Sequence, residues 1–558
     1  MLNKLDKIII KNGIIFDPFN NIKGEKKDIL IEKGKIVEKF STNSDIKEID
    51  ANNKTVIPSA IDIHTHVASQ QINWVRLLGT NNKTFMSKWK GLTLDYIARN
   101  YISHGYTFII EANVYPSLAK QTLFNFINLP VLDKGMLLNV SNFWPLELEF
   151  EKGNINNISY FLSDLLSKCK GFGIKAYNPF EAEMWNFNSI RANIHEKGRL
   201  YNFSALDVYK QLIRGVESLN LPHSIQCHIE GYEQIEGKEN LSIILDELIK
   251  NFPIRESNSK LEREQIIHLA HANSYNIDGD NTKLVNLINN SNRIDIDLGF
   301  IGFNKINPII TSDRRFINNF KSTKDNFSNI INNSCESEGD SFVSFRQFNK
   351  SKYHDCILWS NSIDLALKVK NKWQIQFSLN FPHYSHIDKI PEITTWLLSV
   401  EARRKFMLDM NKEFLTTSSL LNNDEILGFY DYVIITRASP AKSLGVAKYK
   451  GSFTPGLDAD LNILDLNLNE IDTEKDYEIV RKSLENIEFV LKNGEIVKKD
   501  KNIILNNKGL IFWTEGKSIP EEKIKIMAKK KQFYQKYYSY FYEMLDSRVN
   551  SKYLKKLD

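Results

Sequence analysis

Short apolar runs alternate with longer stretches of mixed polarity through the middle of the chain. Eight of these runs are typical of buried strands, and each is followed by enough chain for a crossover helix. Repeated strand–helix units predict an α/β fold with a closed (β/α)8 TIM-type barrel. An open doubly wound sheet is the alternative, but no Gly-rich phosphate loop follows the first strand. In chain order the runs are "TVIPSAIDIHTH", "YTFIIEAN", "GMLLNVSN", "FGIKAYN", "HSIQCHIE", "IIHLAHAN", "RIDIDLG" and "WQIQFSLN".

Both ends of the chain carry strand patterns with turn signals. Residues 7–40 contain short runs broken by Asn-Gly and Lys-Gly turns, and "IEFVLKNGEIVKK" near the far end repeats the pattern. Neither end has enough strands for a stable sheet alone, so we predict that they share one small β-sandwich domain. The predicted domains are the β domain from 1–55 and 440–510, the barrel from 56–439, and a C-terminal helical tail from 511–558.

The tail is basic and aromatic between residues 523 and 556. Phe533, Tyr537, Phe541 and Met544 fall on one face if this stretch is a continuous helix. Nucleic-acid binding is the less favoured interpretation, because the whole chain is nearly neutral. We therefore expect the tail to dock against the protein's own surface or against another chain of a complex.

Composition excludes several classes of protein. The 558 residues include 73 basic and 68 acidic side chains, for a net charge of +5, which argues against a dedicated nucleic-acid surface. The four cysteines, Cys169, Cys227, Cys335 and Cys356, lack CxxC spacing, so we expect neither a disulfide framework nor an iron–sulfur site. No signal peptide and no apolar run of about 18 residues is recognisable. A cytoplasmic protein without a membrane span is expected.

Two histidines separated by one residue end the first predicted strand. Side chains alternate along a strand, so His64 and His66 face one shared point, where two imidazoles could hold a divalent metal. An isolated pair of this kind is more often a surface feature. Polar groups at the ends of later strands favour the metal-site interpretation, because the strand ends meet on one face of a barrel. They are Lys175 on strand four, His228 on strand five, and His268 and His271 on strand six.

Each of these groups has an ordinary structural explanation when taken alone. Lys175 could pair with Glu111, and His268 could be a hydrogen-bonded core histidine. Together they indicate a metal site, since five of the 11 histidines fall at these few positions. A lysine ammonium repels a cation, but carboxylation by CO2 converts the amine to an anionic carbamate that can bridge two metals. Imidazoles with such a bridge suit zinc, and two zinc ions activate a water and polarise a carbonyl, the chemistry of amide hydrolysis.

Motifs along nearly the whole chain carry a family likeness. The phrases "IPSAIDIHTH", "HGYTFIIEA", "LPVLDKG", "GFGIKAYNP", "LNLPHSIQCH", "ITRASPAKSLGVA" and "GSFTPGLDADLNILDL" occur in this order. The chain resembles the amidohydrolase superfamily and, within it, the A subunits of formylmethanofuran dehydrogenase and of the bacterial formyltransferase/hydrolase complex. The resemblance implies two divalent ions, expected to be Zn2+, together with the other subunits of such a complex and a formylated methanofuran-type carrier. The implied metal ligands are His64, His66, carboxylated Lys175, His228 and His271.

His268 is the alternative ligand on strand six. The superfamily usually places this ligand at the end of the strand, and His271 is the more terminal of the two. Residues three apart on a strand face opposite sides, so both cannot bind one metal without a bulge.

The chain departs from the family pattern at the substrate side of the pocket. The family's strand-eight motif is Asp-His-Pro, but this chain has Asn380-Phe381-Pro382, and an asparagine cannot act as a general base. We therefore take Asn380 and His383 as the candidate catalytic residues, with His386 and Asp388 as further groups that could replace the aspartate.

Other departures concern substrate contacts and the surroundings of the metal site. Gln226 replaces the first histidine of a second HxH, "HANSY" lacks an expected Gln-Phe-His step, and Phe180 and Glu181 replace two glycines. Asn178, Gln226 and Asp297 are the candidate residues for substrate binding or for support of the ligands.

The resemblance implies hydrolysis or formation of the formyl amide of a methanofuran-type carrier, with release of formate. A cyclic-amide hydrolase of the hydantoinase or dihydroorotase kind is a second hypothesis. A third belongs to a different class, a catalytically weakened protein kept as scaffold of the same complex, and Asn380 together with the lost histidine at Gln226 favours it. Neither nucleic acid nor a membrane is an expected partner.

Overall fold

The computed structural model describes residues 6–42, 45–180, 193–199, 201–251, 263–311, 342–516 and 523–557. Glu181 and Cys335 lie outside these ranges. Cys169, Cys227 and Cys356 are buried free thiols, in agreement with the expected lack of disulfides in the described part of the chain. Within the same ranges, no helix combines the length and the apolarity needed to cross a bilayer.

The strands follow the Ile- and Val-rich runs of the sequence. In chain order they are β1 (Lys7–Asp17), β2 (Ile22–Glu32), β3 (Lys35–Val37), β4 (Ile46–Asp50), β5 (Thr55–Pro58), β6 (Ala60–Thr65), β7 (Tyr106–Val114), β8 (Asp133–Asn139), β9 (Gly173–Tyr177), β10 (Ile225–His228), β11 (Ile267–Leu269), β12 (Ile294–Asp297), β13 (Asn307–Thr311), β14 (Phe342–Arg346), β15 (Ile375–Gln376), β16 (Leu461–Leu464), β17 (Phe489–Lys492), β18 (Glu495–Lys499), β19 (Asn502–Ile503), β20 (Ile511–Thr514) and β21 (Leu554–Leu557).

The helices lie mostly between the barrel strands. They are α1 (Gln70–Gly79), α2 (Lys83–Lys88), α3 (Leu94–Ser103), α4 (Ala119–Asn128), α5 (Trp144–Lys152), α6 (Ile155–Cys169), α7 (Ala205–Ser218), α8 (Glu236–Asn251), α9 (Thr282–Asn289), α10 (Tyr353–Lys368), α11 (Ile390–Leu398), α12 (Val400–Met407), α13 (Lys412–Thr417), α14 (Phe429–Val433), α15 (Ser439–Ser443), α16 (Tyr477–Glu485) and α17 (Lys523–Tyr537). A π-helical turn, Ile434–Ala438, separates α14 from α15.

The predicted barrel is confirmed. Strands β6 to β12 pair in parallel in chain order and β15 follows β12. The sheet closes where the His66 N–H donates to the Phe381 carbonyl over 2.7 Å, beside a bridge between Thr65 and Phe381. All residues of β6, β8, β9 and β10 are buried, because helices cover the outside and side chains fill the interior.

The first predicted run divides into two strands that belong to different sheets. Thr55–Pro58 is β5 of the β domain, and Ala60–Thr65 is β6 of the barrel. Ser59 lies between them, and its N–H donates to the Asp460 carbonyl over 3.0 Å. The run looks like a single strand in the sequence because both halves are buried. Val56 packs in the core of the β domain, Ile57 and Ala60 in the large core, and Ile61 and Ile63 in a third cluster.

Both chain ends contribute to one β sheet, as predicted. Nine strands of the described chain form it in the order β19-β18-β17-β16-β5-β1-β2-β3, with β4 paired to β1. Ile8, Ile10, Val56, Leu461 and Leu491 share a core that is separate from the barrel's core. The exact domain limits, 1–55 and 440–510, stay a prediction.

The tail is more than a helix. Helix α17 ends at Tyr537, and β20 and β21 pair with each other and extend the barrel sheet from β8. The predicted helical face through Phe541 and Met544 is wrong, because both residues follow the helix and are about half exposed. Tyr534 and Tyr542 are buried instead, and the Tyr542 ring lies 6.1 Å from that of Phe161. The tail thus packs on the protein's own surface through residues that the helical periodicity did not single out.

A buried ion cluster joins the barrel to the β domain. The Lys450 ammonium lies 2.7 Å from Asp133 of β8, 2.6 Å from Asp458 and 2.8 Å from Asp460. Lys492 of β17 also contacts Asp133 over 2.7 Å. Although burial opposes it, these two lysines lower the pKa of Asp133. The stability that this carboxylate contributes is therefore present above about pH 4 and is lost as the pH falls below that value.

We expect Lys450→Met to lower the free energy of unfolding by about 3 kcal/mol, because it leaves buried carboxylates with less positive charge. The loss lies at the low end for buried ion pairs because Lys492 remains. Denaturant unfolding at pH 7 measures it, with the exposed Lys475→Met as control. A midpoint unchanged from wild type would mean that the cluster does not hold the two parts together.

Candidate active site

Five histidines meet at the carboxyl ends of the barrel strands. The ring centroids of His64 and His66 lie 5.5 Å apart, those of His64 and His271 lie 5.3 Å apart, and those of His228 and His271 lie 4.6 Å apart. His383 joins the group with its ring 4.6 Å from that of His66. All five line one pocket together with Lys175 and Asn380.

The strand ends explain why these rings converge. His64 lies in β6 and His66 follows its last residue, His228 is the last residue of β10, and Lys175 lies in β9. His271 follows β11 at a φ of 31°, a left-handed turn that ends the strand. Burial lowers the pKa of His64, His228 and His383 well below its ordinary value and that of His271 to about 4. These imidazoles are therefore neutral near pH 7.

His268 differs from His271 in its partners. Its Nδ1 lies 3.1 Å from Asp295 and its Nε2 lies 3.2 Å from Asp297, so both ring nitrogens are engaged. Burial opposes protonation, but the two carboxylates raise the pKa of His268 to about 9. An imidazolium with no free nitrogen cannot ligate a metal. Since His271 lines the pocket, the geometry favours it over His268 as the strand-six ligand.

Lys175 is buried among the candidate ligands. Its Nζ donates to Gln226 Oε1 over 2.7 Å, and burial lowers its pKa to about 7. Glu111 is not its partner. One Glu111 oxygen instead accepts from the N–H groups of Val67, Ala68 and Ser69, and the other lies 3.3 Å from His66 Nδ1. The ion pair between Lys175 and Glu111 that the sequence suggested is therefore not observed.

Asp297, at the end of β12, is the anionic centre beneath the histidines. It accepts hydrogen bonds from the Ser378 hydroxyl over 2.5 Å and from the His271 N–H over 2.9 Å. His64 Nδ1 lies 2.9 Å from its other oxygen, which leaves His64 Nε2 for the pocket. Although burial opposes it, the imidazoles of His64 and His268 lower the pKa of Asp297. Asp297 therefore contacts the ring of His64 and the backbone of His271 directly, and its role as a supporting residue stays a prediction.

Asn380 and His383 lie on the loop that follows β15. Asn380 has a φ of 42° and its buried side-chain oxygen has no hydrogen-bond partner. His383 Nε2 is also buried without a partner, and its Nδ1 lies 3.5 Å from the Ile310 N–H, a contact too long to determine the tautomer. His386 pairs with Asp388 and Tyr96 away from this pocket. Of the proposed substitutes for the missing aspartate, His383 is the one that lines the pocket.

Four of the predicted metal-ligand and supporting residues lie outside the pocket lining: Asn178, Gln226, Asp297 and His268. Asn178 is the one farthest in role from the ligand candidates, because among the described residues it bonds neither to them nor to their partners. It is fully buried after β9, where its carbonyl accepts from Asn142 Nδ2 over 2.8 Å. Gln226 lies beneath the pocket and reaches it only through Lys175.

The sequence pattern missed the residues that close the pocket on its outer side. Tyr177, Tyr232 and Glu233 lie at or just after the ends of β9 and β10, and Ile309 and Ile310 come from the hairpin β13–β14. The aromatic residues at the ends of strands four and five were the one signal available. Nothing in the hairpin's sequence indicates that it reaches the site.

The donor chemistry fits a divalent metal. His228 Nδ1 and His383 Nε2 are buried without partners, and neutral imidazoles beside a lysine amine suit an ion of the zinc type. In the described part of the chain, no three His, Cys, Asp or Glu side chains already stand in a metal-holding arrangement. Holding an ion therefore takes side-chain rotations that bring ring nitrogens to a common point.

Comparison with known proteins agrees with this architecture. A model of the amidohydrolase family matches residues 355–498. The chain is 28% identical over 476 residues to protein FwdA of Methanocaldococcus jannaschii, covering 82% of each chain. It is 22% identical over 459 residues to the A subunit of the formyltransferase/hydrolase complex Fhc of Methylorubrum extorquens, covering 78% of this chain and 80% of that one.

A solved structure shares the whole fold. It is that of the formyltransferase/hydrolase complex FhcABCD from Methylorubrum extorquens with methylofuran. One of its chains superposes with a TM-score of 0.84 at 19% identity, and the match covers 99% of both chains. The amidohydrolase fold of the present chain follows from this agreement.

Proposed function

We propose, from the similarity of this chain to FwdA and to the Fhc A subunit, that it is the amidohydrolase component of a complex of the same type. Its amidohydrolase fold supports this proposal. Its substrate in this proposal is the formyl amide of a methanofuran-type carrier, which it hydrolyses to formate and the free amine, or forms in reverse. The observation that carries the proposal is the convergence of neutral imidazoles and a buried lysine on one pocket.

The residues that would hold two divalent ions, proposed as Zn2+, are His64, His66, His228, His271 and Lys175. Lys175 takes part as a carbamate: its amine nitrogen bonds to the carbon of CO2 and loses one proton. When bound, the ions supply Lewis acidity to a carbonyl and lower the pKa of a water. The proton transfers are left to the chain's own side chains.

Amide hydrolysis adds the oxygen of water to the formyl carbon and breaks its bond to nitrogen. A proton must leave the water and another must reach the departing amine. We assign this transfer to His383, whose Nε2 is free of partners in the pocket. The Asn380 carbonyl can accept a hydrogen bond from water, but it cannot take up a proton.

The test is hydrolysis by the purified complex that contains this protein, with metal analysis of the same sample. The probes are an N-formyl methanofuran-type amide, dihydroorotate and hydantoin, and released formate is measured for the first. We expect formate release with no turnover of the two cyclic amides. Turnover of a cyclic amide alone would replace the formyl-amide assignment with a cyclic-amide one.

A second candidate function is favoured by Asn380. Without a carboxylate at this position, the protein could serve as a scaffold of its complex. The wild type would then show no turnover in its fully metallated complex. Because a scaffold can still bind zinc, turnover separates the two functions and metal content does not.

A further inference from the structure

We propose that Ser274, Tyr384 and Glu233 form a hydrogen-bonded relay that holds the proton of His271 on Nδ1 and leaves Nε2 to the pocket, and that Arg346 anchors the relay. The inference rests on the proposed function only in treating this pocket as the reactive one. The relay itself is a property of the chain's own side chains.

The relay runs through four side chains in one direction. His271 Nδ1 lies 3.0 Å from Ser274 Oγ, and Ser274 Oγ lies 2.7 Å from the Tyr384 hydroxyl oxygen. The Tyr384 hydroxyl donates to Glu233 Oε1 over 3.1 Å. All four side chains are buried, so water does not compete for these groups.

Glu233 fixes the direction of the hydrogen bond from Tyr384. Its carboxylate lies 2.6 Å from the Arg346 guanidinium and 3.3 Å from His354 Nε2, and the ion pair with Arg346 keeps it ionised. An ionised carboxylate only accepts hydrogen bonds, so the Tyr384 proton points toward Glu233. The Tyr384 oxygen is then an acceptor for Ser274.

The Ser274 hydroxyl has one proton and three neighbouring atoms that can accept it. The nearest is the Tyr384 oxygen at 2.7 Å, followed by His271 Nδ1 at 3.0 Å and Asn273 Oδ1 at 3.2 Å. While the proton lies on the bond to Tyr384, the serine oxygen is left to accept from His271. The neutral imidazole of His271 therefore carries its proton on Nδ1, and Nε2 keeps its lone pair.

Arg346 links this relay to the hairpin over the pocket. It is the last residue of β14, and its second guanidinium nitrogen lies 2.7 Å from Asp355. The paired strand β13 carries Ile309 and Ile310, which line the pocket. The hairpin's attachment and the tautomer of His271 thus depend on the same carboxylate.

Some side chains do not bind the metal but hydrogen-bond to a ligating histidine and fix its tautomer. Removing such a side chain typically lowers metal affinity 10–100-fold. Here the orienting carboxylate acts through two hydroxyls rather than directly. Tyr384→Phe deletes the hydroxyl that joins Ser274 to Glu233 while keeping the ring. Ser274→Ala removes the acceptor of the His271 proton itself.

The experiment compares the full-length wild type with these two variants and with Tyr542→Phe. Tyr542 is a matched control, because it is buried and its hydroxyl also donates to a carboxylate, that of Asp164, far from the pocket. The first readout is the 15N imidazole spectrum of His271 in the metal-free protein, assigned by its loss in His271→Gln. The second is the affinity for Zn2+ in competition with a chelator.

We expect the wild-type and Tyr542→Phe spectra to show a proton on Nδ1, and both relay variants to shift toward the other tautomer. Zn2+ affinity should fall 10–100-fold in the relay variants and stay unchanged in the control. Unchanged His271 spectra in both relay variants would overturn the relay, whatever the protein hydrolyses. The two proposals can fail separately. If the wild type hydrolyses no formyl amide, but its His271 carries the proton on Nδ1 and the relay variants lose this tautomer, the proposed function is overturned and the relay is retained.

Discussion

His383→Gln is expected to lower formyl-amide turnover by about 10²–10⁴-fold, the usual loss when one general acid–base group is removed. The reason is that Asn380 cannot exchange a proton, and His383 is the group in this pocket with a free, buried nitrogen on the loop after β15. Glutamine keeps a polar side chain of similar reach but cannot take up a proton. Single-turnover formate release by the purified complex measures the effect separately from product release.

His386→Gln is the matched control for this variant. His386 lies three residues further along the same loop, but it pairs with Asp388 and Tyr96 away from the pocket. Its turnover should stay within about threefold of wild type, since no transition-state contact is lost. If His383→Gln retained full activity and Asn380→Asp accelerated the reaction, His383 would not be the proton carrier.

Lys175→Met is expected to remove the metal from the protein and, with it, all measurable turnover. A carbamate on Lys175 would supply the one anion in the proposed ligand set, and without it four imidazoles would remain. Methionine has a similar length and suits the buried position, so folding should be retained. Metal content after gel filtration and the thermal midpoint are measured on the same preparation.

Lys134→Met separates loss of metal from a general effect of removing a buried lysine. Lys134 is buried in β8 and burial lowers its pKa to about 7, as for Lys175, but its ammonium donates to the Leu129 and Gly509 carbonyls away from the histidines. This control should change stability and leave metal content intact. Metal bound at the wild-type level by Lys175→Met would show that the lysine is merely structural.

Local sequence was sufficient for the barrel and for part of the site. Strand periodicity of two residues decides which side chains share a face, so the alignment of His64 with His66 could be read directly. The carboxyl ends of the parallel strands meet on one face, which brought Lys175, His228 and His271 into the same prediction. These statements depend on neighbours along the chain and on one rule of topology.

Periodicity failed where the chain changes its partner. The run "TVIPSAIDIHTH" is mostly apolar and both of its strands are fully buried, yet it divides at Ser59 between two sheets. In the tail, the helical period predicted a face through Phe541 and Met544, but the helix ends at Tyr537 and Tyr542 packs on α6 instead. A hydrophobic pattern reports that residues are buried and does not report which surface buries them.

The sequence by itself therefore determined the strand order, the shared face of the histidines and the lack of a carboxylate at Asn380. Only the tertiary structure decided that Asp295 and Asp297 occupy both nitrogens of His268, that Gln226 rather than Glu111 is the partner of Lys175, and that His383 turns into the pocket. The same holds for the link from Arg346 through Glu233 to His271. Each of these contacts joins residues from different strands or loops. The distances between them depend on how the barrel closes and on where strands β13 and β14 lie over it. The local hydrophobic periodicity of the sequence contains no information about either.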